Sequence, residues 1–585
     1  MKILANIQNA SDIARLGHDE LLKLSDECRQ FLIETILQHG GHFAGNLGVV
    51  ELTVALLNVF NAETDKIIWD VGHQSYAWKV LTGRRDTLST IRSYGGISGF
   101  PKRDESPFDH FGTGHSSTAI SAAMGMAVAA KLQQHPDRTH IAIVGDGALS
   151  GGMSFEALNN AAASKANLLI IVNDNQISID AGTGAMNEHL AGLNSGQQNI
   201  FRELKLDYHG PIDGHDLPEL LRQLAYLKTM QHPRVLHIKT IKGKGYSPAE
   251  TEQTKWHSTA KFVKIESKEQ IPAQKWHEFA GQTMLKIAQQ YPHVAGITPA
   301  MPSGSGLLDC FSAFPNRFFD TGIAEQHAVT FAAGMAAAGL KPFLFIYSTF
   351  LQRGYDQVIH DIALQNLPVV ICIDRAGLVG EDGPTHHGAF DIPMLRCIPG
   401  LTLLAPATAQ ELQAMMMEAV NAAIPVTIRY PKGPIPEFSW DFGSENLLTH
   451  PGICLKNGDN VAILSTGNAT LLAQEALQKK QVSAAHYHFP VINRFSESRV
   501  KEIANRYKYI ITVEDGAIAG GFGEGWSEQL YAAGFSGSIK HLGIPNEFIT
   551  HGSNDILYDL CGYSADKIGS AVINALEKTG GPVVD

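Results

Sequence analysis

Two polar clusters end otherwise apolar runs between residues 141 and 177. IAIVGDG (141–147) closes on Gly145-Asp146-Gly147, and LLIIVNDN (168–175) closes on Asn173-Asp174-Asn175. Asp146 and Asn175 offer hard oxygen ligands, the donor type that suits magnesium, above all where a phosphate completes the shell. Gly145 and Gly147 let the backbone pass close to a diphosphate, and a following helix would present its positive end. A bare GDG is an ordinary turn; GDG and NDN on successive apolar runs make the sharper signal.

Other residues could serve the same chemistry. Gly114, His115 and Ser116 precede an alanine-rich helix at whose amino end a phosphate could be cradled. His73, in VGHQ, could donate to a diphosphate oxygen. Taken singly, these are a glycine-rich turn and a loop histidine. Glu325 stands at the head of a second alanine-rich helix, where a carboxylate usually only offsets the helix dipole. His42, His327 and His386 sit in or beside glycine-bounded segments and are candidates for proton transfer. Tyr347, Arg353, Arg375 and Lys432 lie near strand ends, where they could bind an anionic substrate tail.

The elements that must position these residues read as α/β with mostly parallel sheets. Between the two central runs, GGMSFEALNNAAASKANL has helical spacing, giving strand, helix, parallel strand; ligand chemistry collects beyond the carboxyl ends of such strands. A helix is predicted over 16–38, another through ELTVALLNVF, a strand at IIWDV and one at VLHIKTI. From Gly182 to Tyr208 no strong element is predicted. The polar tract 247–274 reads as a linker with a boundary near 268, and 434–458 reads as a second. Three α/β domains follow: 1–268, 269–440 and 441–585.

At 585 residues the chain is too long for one hydrophobic core. Its formal charge of −12, from 46 basic and 58 acidic residues, provides no cationic face for nucleic acid. The six cysteines are scattered, without a close metal-ligand pair, as in a reduced cytoplasmic protein. The polar start does not resemble a secretory segment, and no apolar run is long enough for a membrane span.

NLGVVELTVAL, WDVGHQSY, FGTGHSS, IAIVGDGALSGGM, NDNQISI, GPIDGHD, KGKGY, IYSTFLQRGYDQV, IDRAGLVGEDGPTHHGAFD and LGIP together resemble the 1-deoxy-D-xylulose-5-phosphate synthase family. These are enzymes of isoprenoid-precursor and thiamine biosynthesis with a transketolase-like, thiamine-diphosphate-binding fold. The resemblance implies thiamine diphosphate and Mg2+ as cofactors. Asp146, Asn175 and the Ile177 carbonyl would hold the metal. His73, Gly114, His115, Ser116, Gly147, Ala148, Asn175 and Tyr246 would surround the diphosphate. Glu325 would meet N1′ of the pyrimidine, which requires an apolar pocket that raises its pKa.

By the same resemblance, His42 and His386, with Asp382 nearby, handle protons and substrate oxygens, and Tyr347 and Arg375 surround the triose phosphate. The reaction implied joins pyruvate to D-glyceraldehyde 3-phosphate with loss of CO2. The family works as a homodimer with its active site between the first and second domains of one chain. A transketolase or related carboligase with another donor or acceptor is the alternative.

Two departures stand out. Relatives carry a long insertion where this chain has only residues 182–207, which predicts a more open cofactor cleft or a loop borrowed from elsewhere. They also commonly carry arginine where YPKG places Lys432, which removes the bidentate fork from the phosphate site.

Overall fold

A computed structural model describes residues 2–178, 180–194, 196–259, 273–443 and 445–580. The chain divides into two compact units, Met1–Glu269 with Gly322–Ala324, and Gln270–Thr321 with Glu325–Asp585. The expected boundary near 268 lies outside the described residues.

The first unit contains β1 (Gly41–His42), β2 (Lys66–Trp69), β3 (His140–Gly145), β4 (Leu168–Asp174), β5 (Asp207–Asp213), β6 (Arg234–Lys239) and β7 (Ser258–Thr259). Its main sheet is parallel throughout, in the order β2-β3-β4-β6-β5. β3 and β4 are apolar along almost their whole length because helices cover both faces of the sheet. On one face lie His18–His39 and Val50–Val59 with Leu24, Leu32, Leu52 and Leu56 buried; on the other, Ala119–Leu132 and Gly152–Ser164 pack through alanines. These small side chains allow a close approach to the strands that carry the polar clusters.

Three sequence expectations need correction, two of them in this unit. Segment 182–208 is not featureless: helices Ala185–Gly192 and Ile200–Glu203 bury Leu190, Leu193, Phe201 and Leu206 against the sheet. Four apolar residues with irregular spacing gave too little periodicity to mark them. Nor is the start of the 247–274 tract a linker. Helix Ser247–Thr251 leads to β7, which pairs antiparallel with β1, Gly41 opposite Thr259 and His42 opposite Ser258. The pairing partner lies some two hundred residues upstream, so local sequence cannot reveal it.

The second unit holds two sheets. One is wholly parallel, with β8 (Val294–Thr298), β9 (Phe318–Asp320), β10 (Lys341–Tyr347), β11 (Val370–Ala376), β12 (Thr402–Leu404) and β13 (Val426–Pro431) in the order β12-β13-β11-β10-β8-β9. The other contains β14 (Ile453–Lys456), β15 (Asn460–Ser465), β16 (Ala485–His488), β17 (Tyr507–Ala517) and β18 (Ser538–Ile544), ordered β14-β16-β15-β17-β18, with β14 antiparallel at its edge. The second expected linker, 434–458, is also tied down: Leu447 and Leu448 are buried in the core under the first of these sheets, and β14 belongs to the second. Among the described residues no helix is long and apolar enough to cross a membrane.

Candidate functional site

In the first unit β3 delivers Asp146 into a buried position, 4% exposed, at the start of the short helix Asp146–Leu149. Its Oδ2 is buried and has no hydrogen-bond partner among the described residues. Burial, and then the nearby charge of Asp174, push its carboxyl up to about 6. A buried carboxylate oxygen left without a donor is costly unless a cation or water meets it.

The turn after β4 provides the complementary atoms. The Asn175 side-chain oxygen accepts the N–H of Ile177 at 3.2 Å. Gln176 between them is left-handed at φ 64°, which folds the turn tightly. Glycine at 147 allows a close approach: a Cβ there would stand 3.0 Å from the Ser178 Cβ. One carboxylate, one amide oxygen and a peptide carbonyl make a hard-oxygen donor set that fits a divalent cation of the magnesium type.

The Gly114-His115-Ser116 turn leads into the helix Ala119–Leu132, as expected. Asp70, just past β2, accepts from Ser117 N at 2.7 Å and Ala119 N at 2.9 Å, so the protein itself caps this helix end. The Ser117 and Ala119 amides are thus engaged within the chain, directly after the Gly114-His115-Ser116 turn. That turn follows a loop pinned by a buried ion cluster. Arg84 grips Asp109 with two bonds of 2.7 and 2.8 Å and reaches Glu105 at 2.8 Å, while Lys79 pairs with both acids.

His42, on β1, is nearly buried. Its ring lies 5.8 Å from that of His73 and 6.0 Å from that of His257, and those two are 5.2 Å apart. Burial, reinforced by Lys242, lowers His73 to about 3, so its imidazole is neutral and can offer one donor and one acceptor. Its buried Nδ1 has no partner among the described residues. Asn46 ties the two loops together, donating to the carbonyls of His42 and His73 at 2.9 and 2.8 Å. Tyr246 packs edge-on against Phe43 and Trp256.

Lys242 and His257 were missed as candidates. The Lys242 ammonium is buried, donates to the Ser178 carbonyl and lies 3.2 Å from His257 Nδ1. Burial brings it down to about 8, against the pull of Asp146. Lys242 was visible in KGKGY; His257 was hidden in the tract read as linker.

In the second unit Glu325 opens helix Glu325–Ala337 and is 5% exposed. Burial raises its carboxyl above the usual range, and Arg353 opposes that. Arg353 Nη1 lies 3.6 Å from Glu325 Oε2, so this arginine, expected among the substrate-tail groups, stands with the helix-head acid instead. His327 is exposed on the same helix and stacks on Phe331.

The other expected residues do gather. Tyr347 ends β10, with the Arg375 guanidinium 3.8 Å above its ring. The charge of Asp382 acts on Arg375, and Lys432 Nζ lies 3.8 Å from Asp382 while donating to the Val379 carbonyl at 3.2 Å. Phe350 stacks on Tyr347 and meets the ring of His386 edge-on, and His386 Nδ1 is 2.9 Å from Thr385 Oγ1. Two cations, a phenol and a histidine thus share one strand-end cluster, a composition suited to an oxyanion or phosphate with a carbonyl beside it.

Family models match three stretches: 1-deoxy-D-xylulose-5-phosphate synthase over residues 4–200 and 193–240, the transketolase pyrimidine-binding domain over 273–437, and the transketolase C-terminal domain over 452–568. The first comes in two pieces that meet at 193–200, inside the segment that is short here. Curated relatives named 1-deoxy-D-xylulose-5-phosphate synthase include that of Cytophaga hutchinsonii, 42% identical over 98% of both chains. That of Thioalkalivibrio sulfidiphilus is 44% identical over 97% of this chain and 95% of its own. That of Bacteroides thetaiotaomicron is 41% identical over 98% and 97%. At this identity over nearly its whole length, the chain belongs to the 1-deoxy-D-xylulose-5-phosphate synthase family of transketolase-type enzymes.

Proposed function

We propose that the chain condenses pyruvate with D-glyceraldehyde 3-phosphate, releasing CO2 and forming 1-deoxy-D-xylulose 5-phosphate, with thiamine diphosphate and Mg2+. The observation that carries the reading is Asp146, a buried acid with an unpartnered oxygen beside a turn of neutral oxygen donors, in a chain of this family.

Asp146, the Asn175 side chain and the Ile177 carbonyl hold the metal. His73, Gly114, His115, Ser116, Gly147, Ala148 and Tyr246 surround the diphosphate, joined by Lys242 and His257. When bound, thiamine diphosphate supplies a carbon nucleophile and an electron sink. Glu325 meets the pyrimidine N1′; burial raises its carboxyl, which favours the protonated form, while Arg353 beside it opposes that shift. Tyr347, Arg375 and Lys432 take the triose phosphate: arginine through its fork, lysine as a point charge. His42 and His386, with Asp382, relay protons at the substrate oxygens. His327, exposed on the Glu325 helix and stacked on Phe331, is a further proton-transfer group.

The functional domains are 1–268 for diphosphate and metal, 269–440 for the pyrimidine and 441–585 at the C-terminus, in a cytoplasmic homodimer serving isoprenoid and thiamine biosynthesis. The test is incubation with pyruvate, D-glyceraldehyde 3-phosphate, Mg2+ and thiamine diphosphate, following CO2 and the five-carbon product. Carbon dioxide without that product would point to another acceptor; neither would remove the assignment.

A further inference from the structure

Paired residues of neighbouring parallel strands point to the same face of a sheet. Tyr208 of β5 pairs with Val235 of β6, and Val172 of β4 pairs with His237 of β6. Tyr208, His237 and Asp174 therefore share one face, one residue from each of three adjacent strands. They form a line: Tyr208 OH lies 2.8 Å from His237 Nδ1, and His237 Nε2 lies 3.0 Å from Asp174 Oδ2. All three are buried, among Leu190, Phe201 and Val235, with the Tyr208 ring stacked on Phe201.

An ionised carboxylate on an apolar face is costly unless it is bonded, so a line of polar groups here calls for a reason beyond packing. Asp174 as acceptor places a proton on His237 Nε2; in the neutral imidazole Nδ1 then accepts from the Tyr208 hydroxyl. Thr240 completes the clamp. Its N–H donates to the Asp174 carbonyl at 2.9 Å, and its hydroxyl donates to Asn173 Oδ1 at 2.6 Å. The end of β4 is thus held through side chains and backbone one residue before Asn175. The other Asp174 oxygen, Oδ1, is buried without a partner among the described residues.

We propose that Tyr208, His237 and Asp174 form a positioning relay that fixes the end of β4, and so keeps Asn175 and the Ile177 carbonyl in ligand geometry for the divalent metal. The relay rests on the metal assignment made above. Its members touch neither substrate nor the reacting atoms. Their loss weakens metal binding and leaves the chemistry of the saturated enzyme nearly intact.

The test titrates Mg2+ into the full chain at fixed thiamine diphosphate, reading cofactor binding by calorimetry, with turnover measured separately at saturating Mg2+. Groups that orient a metal ligand typically carry about 10- to 100-fold in affinity. His237→Leu should raise the half-saturating Mg2+ by about that much. Tyr208→Phe should raise it by less, and His237→Gln, which retains a donor toward Asp174, should recover most of the loss. Turnover at saturation should stay within about twofold of the parent for Tyr208→Phe and His237→Gln, since neither meets substrate.

Should His237→Leu fail to fold, the other two decide. Half-saturating Mg2+ within twofold of the parent in both overturns the relay, whatever happens to thermal stability. Asp146→Ala separates the two levels. If it abolishes Mg2+ dependence while the relay variants stay unchanged, only the relay falls. If it too leaves Mg2+ binding unchanged, the metal assignment falls and the relay with it.

Discussion

β3 ends at Val144-Gly145 and runs straight into Asp146-Gly147, and β17 of the last sheet carries Val513-Glu514-Asp515-Gly516. Both place a buried acid in an acid-glycine stretch, just past one parallel strand and within another, and burial raises both acids, Asp146 to about 6 and Glu514 to about 8. Their surroundings differ. Glu514 reaches the start of helix Phe522–Ala532 and accepts from Phe522 N at 2.7 Å and Gly523 N at 2.9 Å. A Cβ on Gly521 would come within 2.3 Å of its Oε2, so the acid packs directly against the start of this helix. Asp515 is likewise satisfied, by Tyr563 OH at 2.7 Å and Leu378 N at 3.2 Å. Asp146, one methylene shorter, leaves Oδ2 without a donor. The two acids differ in how fully they are satisfied: both Glu514 oxygens accept from helix amides, and one Asp146 oxygen has no partner among the described residues.

The sharpest way to break this contrast is to remove each acid. Asp146→Ala should abolish Mg2+-dependent cofactor binding and lower turnover by about a thousandfold or more, the scale of losing an electrostatic anchor. Glu514→Ala should leave cofactor binding intact and cost about 1–3 kcal/mol of stability, because two helix amides lose their acceptor. Calorimetry and thermal melts on both variants check this; loss of cofactor binding in the Glu514 variant would erase the distinction.

Glu325 is a further buried acid, at a helix head beside Arg353, and it tests whether an acid raised by burial can be functional. Glu325→Gln should lower turnover by about a hundredfold or more, within the range for a lost acid-base group. The variant should melt no lower than the parent at pH 8, since it removes a buried group whose ionisation opposes folding. Comparing the two melts at pH 8 with their turnover decides the point.

A smaller effect concerns pH. Glu514 has a folded pKa raised from 4.5 to about 8, so its contribution to stability is complete below about 4.5 and lost as pH rises through about 8. The melting temperature of the parent should therefore decline more steeply between pH 5 and pH 8.5 than that of Glu514→Gln. Equal slopes would place the group's folded pKa near its ordinary value.

The smallest expected effect lies in the second-unit cluster. Lys432→Arg should lower the KM for the triose phosphate by less than about tenfold, by restoring a bidentate contact. An unchanged KM would show that the position does not tune phosphate binding.

Much of this was legible in the sequence because it is local. The apolar runs 141–145 and 168–172, the polar stops after them, and Glu325 at a helix head all follow from short-range pattern. What escaped depends on distant partners. His257 reaches His73 only because β7 pairs with β1 across the length of the unit. Arg353 lies four residues beyond Thr349 in a run read with Tyr347, yet its side chain turns to Glu325. Asp70 stood in a run read only as a strand, and its capture of the Ser117 and Ala119 amides at the start of the next helix had no local signal. Hydrogen-bond competition of this kind leaves no periodic trace.

The antiparallel β1–β7 ribbon bears on how the protein could be dissected. The stretch matched by the first family model stops at residue 240, short of Lys242, Tyr246, His257 and the strand that closes on His42. A fragment trimmed to that edge would keep the Asp146 and Asn175 turns but expose Gly41 and His42 as an unpaired backbone edge. Split versions of the enzyme should therefore be cut no earlier than Thr259.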